Sequence, residues 1–78
     1  MNHKKFQTYG ERAVGLNFNP SNDSVVDQIK RHFADIIDKL NIERSNTVNE
    51  EAKRMLTIAI ENAQQSQMWA VKAVTWSK

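Results

Sequence analysis

The side chains that could do chemistry here are aromatic or charged rather than nucleophilic. The chain has 78 residues, no cysteine and two histidines, His3 and His32. A thiolate zinc site and a cysteine nucleophile are therefore excluded. No serine stands in a context that marks it as activated. His32 reads as a partly exposed helix histidine, because general acid–base work needs a matched partner and none is in view. The adjacent carboxylates Glu50 and Glu51 belong to a helix start, where the dipole favours them. Gly10 and Gly15 fit neither the Walker phosphate loop nor the dinucleotide fingerprint. What remains is binding chemistry. Tyr9 offers a flat, rigid ring to a base, and Arg12 lies three residues on, flanked by the two glycines. Lys30 and Arg31 could meet a phosphate. Two readings stand for these residues: a nucleotide-binding set, or an arm anchor in Tyr9 beside solvated surface cations.

The elements that must position these residues are legible in the pattern. Residues 1–22 hold both glycines, the only proline and several aromatics. Asn17, Asn19, Ser21 and Asn22 around Pro20 are turn chemistry. We read this segment as an ordered arm with a short helical turn near Gln7 to Val14, since disordered tails normally lack aromatics. Helix one is predicted over residues 23–44, capped by Asp23 or Ser24. Its apolar face is Val26, Ile29, Phe33, Ile36 and Leu40, broadened by Val25 and Ile37, with fraying expected after Leu40. Thr47 followed by Glu50 has the spacing of a capping box, so helix two is predicted over residues 47–76. A short polar link between two amphipathic helices implies an antiparallel hairpin. The fold class is thus all-α: an N-terminal arm plus a two-helix hairpin, in a single domain covering residues 1–78.

Helix two also predicts assembly. Ala52, Leu56, Ala59, Ala63, Ser66, Ala70 and Ala73 follow a 4-3 spacing and form a seam of small residues. Met55, Ile58, Ile60, Trp69, Val71, Val74 and Trp76 make other faces apolar. A helix that is apolar on several faces must be buried on several faces. A chain this short is marginal alone, and without disulfides or a metal its expected support is a helical homo-oligomer. The formal charge is +2, with 11 Lys and Arg interspersed among 9 Asp and Glu. That is not the footprint of a protein that coats nucleic acid. No apolar run reaches the roughly 18 residues a membrane span needs, and the basic start lacks the apolar stretch of a signal peptide. A soluble, intracellular protein is expected.

Two motifs carry a resemblance. The ending QMWAVKAVTW, preceded by IAIENAQ, resembles the phage-encoded helical hairpin proteins that inhibit cyclic-oligonucleotide-based antiphage signalling (CBASS). The opening GERAVGLNFNPSND resembles the T-even phage members of that family, whose hairpin is shared with Thoeris inhibitors. The resemblance spans Tyr9 to Trp76. It implies a homohexamer in the cytoplasm of the infected bacterial host. It implies a sponge that sequesters cyclic dinucleotides between protomers without cleaving them, needing no cofactor and no metal. It places a stacking tyrosine at Tyr9, with Arg12 nearby, and a phosphate-binding lysine at Lys30. A second pocket for cyclic trinucleotides is implied at Arg54, with His32 standing where relatives carry a threonine. The competing reading is a protein-interaction hairpin that binds a host factor.

Overall fold

The computed structural model describes residues 6–20 and 22–77. His3 and Ser21 lie outside these. Among the described residues there are three helices and no strand: α1 (Tyr9–Ala13), α2 (Ser24–Asn46) and α3 (Glu50–Val74). The structure is all-helical, in keeping with a hairpin.

The arm forms a helix because its ends are satisfied by short-range chemistry. Thr8 and Glu11 make a reciprocal capping box. The Thr8 hydroxyl accepts from the Glu11 amide, and the Glu11 carboxylate accepts from the Thr8 amide, both at 3.0 Å. The far end closes as a Schellman motif: Gly15 N–H donates to Arg12 C=O at 3.1 Å, and Leu16 N–H donates to Glu11 C=O at 3.0 Å. Gly15 takes the left-handed conformation this requires, with φ of +64°.

Helix α2 is capped by Asp23, whose side chain accepts from Val25 N–H. It runs two residues past its predicted end and does not fray at Leu40, because Arg44 is tied to both helices of the hairpin. Helix α3 is capped by Asn49, which accepts from Ala52 N–H at 2.9 Å. This corrects the capping box expected of Thr47: its hydroxyl instead donates back to Glu43 C=O at 2.7 Å. The last turn of α3 closes at Val74, with Thr75 as the cap.

Helices α2 and α3 lie antiparallel. Arg44 meets Thr57 near the connecting loop, while Val26 and Lys30 share a cleft with Val71 and Thr75 at the other end. The arm runs back along α2. The core is small: Val14, Ala34, Ile37 and Ile60, with Leu16, Phe33, Leu40 and Ala63 packed around them. The deepest positions of α3 are Ile60 and Gln67, a quarter turn from the small-residue seam, which becomes a half-buried flank. The chain is a slab measuring 44 × 38 × 12 Å between Cα extremes. Its radius of gyration is 14.2 Å, against about 11.5 Å for a compact domain of this length.

Gly10 sets how closely arm and hairpin approach. A Cβ there would lie 2.2 Å from the Ala34 carbonyl oxygen and 2.9 Å from Asp38 Oδ1. The Gly10 amide donates to that same Asp38 oxygen at 2.7 Å. Gly10→Ala is therefore expected to cost about 1–3 kcal/mol through overpacking against backbone. Thermal unfolding checks it, and an unchanged Tm would show that α1 does not sit this close.

Candidate functional site

Tyr9, Arg12 and Lys30 come to adjoining openings because α1 is fastened along α2. Gly10 lies against Ala34 and Asp38, one to two turns from Lys30, or roughly 6–12 Å along the axis. Two openings meet there. A cavity of about 360 Å³ is lined by Tyr9, Arg12, Ala13 and Gln64. A cleft of about 390 Å³ is lined by Arg12, Gly15, Phe18, Lys30, Gln67 and Met68 among others. Arg12 borders both. The Gln64 amide donates to Ala13 C=O at 3.3 Å, so α3 also helps hold the arm.

Tyr9 is 46% exposed. The Arg44 guanidinium stands over its ring, with Cζ 5.7 Å from the centroid. Lys30 is only 5% exposed. Its ammonium donates to Gly15 C=O at 2.9 Å and to Phe18 C=O, and it lies 5.6 Å from the centre of the Phe18 ring. Burial lowers its pKa, with the Asp27 carboxylate opposing the shift. Holding the charge there costs stability, which the two carbonyls offset. An ammonium has three donors, of which these carbonyls take two.

The other cations are placed differently. Arg31 is exposed and turned along the helix to Asp27 at 2.8 Å, which raises its pKa. Arg54 is exposed and makes a two-pronged contact with Glu51 at 3.1 and 2.6 Å; the contact raises the Arg54 pKa and lowers that of Glu51. His32 is exposed on α2. Since Arg44 pairs with Thr57 and Lys30 borders Val71, Arg54 falls near the loop end and His32 near the opposite end. They are roughly 20 Å apart along the hairpin, so one chain does not bring them together.

Sequence reasoning missed Arg44, which it left at the polar link, and did not single out Gln64. The Asn41–Arg44 spacing was the available signal: Asn41 Oδ1 accepts from Arg44 at 2.8 Å one turn along. Among the described residues no group of three or more acidic or histidine side chains could hold a metal ion, and no helix is long and apolar enough to cross a membrane.

Tyr9, Arg12 and Lys30 thus place one aromatic ring and two cations around two adjoining openings. The sequence matches the family model described as Acb2/Tad1, hairpin domain, over residues 11–75. The chain belongs to this family of anti-CBASS sponges and Thoeris anti-defence proteins. At family level the function is that of an anti-defence cyclic-nucleotide sponge, which binds rather than catalyses. No curated protein and no solved structure gives a match.

Proposed function

We propose that copies of this chain assemble, as a hexamer, and sequester cyclic dinucleotides in sites shared by two protomers. The observation that supports this best is that Arg12 borders both the Tyr9 cavity and the Lys30 cleft. One base can stack on Tyr9 while Arg12 and the spare Lys30 donor meet a phosphate. Each opening is at the low end of the roughly 300–1,000 Å³ typical of ligand sites. Two facing protomers double the volume and supply two rings and two sets of cations, matching a ligand with two bases and two phosphates. Sequestration asks for no general base, nucleophile or metal.

Arg54 and His32 are proposed for the trinucleotide site. Their separation along one hairpin means that such a pocket takes Arg54 from one protomer and His32 from another. The infected host cytoplasm is the proposed setting, since the messengers are made there.

Calorimetry with cyclic di-GMP, cyclic di-AMP, cyclic GMP-AMP and a linear dinucleotide tests the reading. At least one cyclic ligand should bind tightly, and Tyr9→Ala should weaken it about 5- to 150-fold for each of the two stacks lost, at about 1–3 kcal/mol per stack. Tyr9→Phe should keep most of the affinity. Wild-type affinity in Tyr9→Ala would put the pocket elsewhere. The ligand is also expected to return intact when the complex is digested by protease and the nucleotide is run on a column. Linear product appearing at a rate set by this protein would overturn sequestration.

A further inference from the structure

We infer that Arg44 is a positioning residue for the nucleotide site: it braces one face of the Tyr9 ring and presents the other to the ligand. The inference rests on the stacking role proposed for Tyr9. Three observations carry it. The guanidinium lies over the ring at 5.7 Å, within the range of a cation–π contact. Its orientation is fixed from two helices: Nη2 donates to Asn41 Oδ1 at 2.8 Å, and Nη1 donates to Thr57 Oγ1 at 3.1 Å. The Thr57 hydroxyl is itself committed to Lys53 C=O at 3.1 Å. Arg12 and Gln64 border the cavity with Tyr9, and Arg44 is not part of that lining. It therefore acts through Tyr9.

The physical effect is preorganisation. A free tyrosine side chain gives up rotamer freedom when a base settles on it, and bracing the ring beforehand removes most of that loss. Arginine suits the task because its plane both stacks on an aromatic face and donates in two fixed directions; lysine does neither. Immobilising one side chain is worth about 2- to 12-fold in affinity. Arg44→Gln is expected to weaken cyclic GMP-AMP binding about 5- to 10-fold. Arg44→Lys should fall between, keeping charge but not plane. Thr57→Val should weaken binding about twofold by removing one of the two ties.

The chain has a single tyrosine, so its ring signals report on Tyr9 alone. Full-length protein carrying ¹³C-labelled tyrosine is compared by NMR, sedimentation and calorimetry with cyclic GMP-AMP. The expected result has three parts. Arg44→Gln moves the Tyr9 signals of the ligand-free protein. It leaves the assembly unchanged. The Tyr9→Ala/Arg44→Gln pair binds no more weakly than Tyr9→Ala, because the two residues act as one unit. Weaker binding with unmoved Tyr9 signals overturns the inference, since it puts Arg44 on the ligand itself. Losses that add in the double variant overturn it as well. Wild-type affinity in Arg44→Gln, beside a loss in Tyr9→Ala, overturns the inference but keeps the nucleotide reading. Wild-type affinity in Tyr9→Ala overturns both.

Discussion

Lys30→Met is expected to loosen the arm and to remove nucleotide binding in a single change. The ammonium is the one group that holds the carbonyls of Gly15 and Phe18 against α2. Methionine keeps the buried stem but takes the ammonium from the Phe18 oxygen, while the Gly15 oxygen keeps only the Phe18 N–H at 2.9 Å. A part-buried group so stranded costs about 1–3 kcal/mol, read as a lower midpoint in urea. The proposed phosphate contact goes with it, and a hydrogen bond to a charged group is worth about 1.5–3 kcal/mol. With two copies per ligand, binding should fall more than a hundredfold. Salt should weaken the wild type more than the variant. Wild-type stability would show that the loop is held by other contacts; wild-type affinity would remove Lys30 from the site.

The second large effect is on assembly. Met55, Ile58, Trp69 and Trp76 lie on the side of α3 opposite Ile60 and Gln67. Trp69 is 67% exposed and Trp76 75%, with the Lys72 ammonium 5.7 Å from the Trp76 ring. Trp69, Ala73 and Trp76 border a largely apolar hollow of about 420 Å³. A Trp buries about 150–250 Å² when covered. Trp69→Asp is therefore expected to convert the oligomer into 9.0 kDa chains at micromolar concentration, seen by sedimentation. An assembly that survives Trp69→Asp would release this stripe for a host protein.

The hairpin was readable because its signals are local. Periodicity placed α2 and α3, and Asp23 capped as expected. The face of α2 was less readable. The sequence points to Val26, Ile29, Phe33, Ile36 and Leu40, broadened by Val25 and Ile37; Val26 and Ile37 are buried, but so are Lys30 and Ala34, which that face does not include. The face is turned because α1 covers that side. Alanine 34 is buried by the missing side chain of Gly10, and Lys30 by carbonyls of the arm, and neither residue type advertises burial. The two Thr-x-x-Glu patterns make the same point. Thr8 and Glu11 form a capping box, but Thr47 and Glu50 do not, because Asn49 is a better cap one residue before the glutamate. The arm's pairing with α2 is a contact across many residues, which no local pattern encodes. Tyr9, Arg12 and Lys30 could be picked out by type, whereas Arg44 required knowing which ring stood beneath it.

The 12 Å thickness of the slab would make its endurance a collective property in the proposed assembly. A fold one helix deep has two broad sides and little interior, and Ile37 and Ile60 are the largest side chains fully enclosed among the described residues. Where folding and association are one event, the melting temperature climbs with protein concentration rather than staying fixed. For the assembly proposed above, dilution would then act on this chain as heat acts on a larger domain. In the proposed assembly, captured nucleotide bridging neighbouring copies would pull in the other direction, and the sponge would grow harder to unfold as it fills.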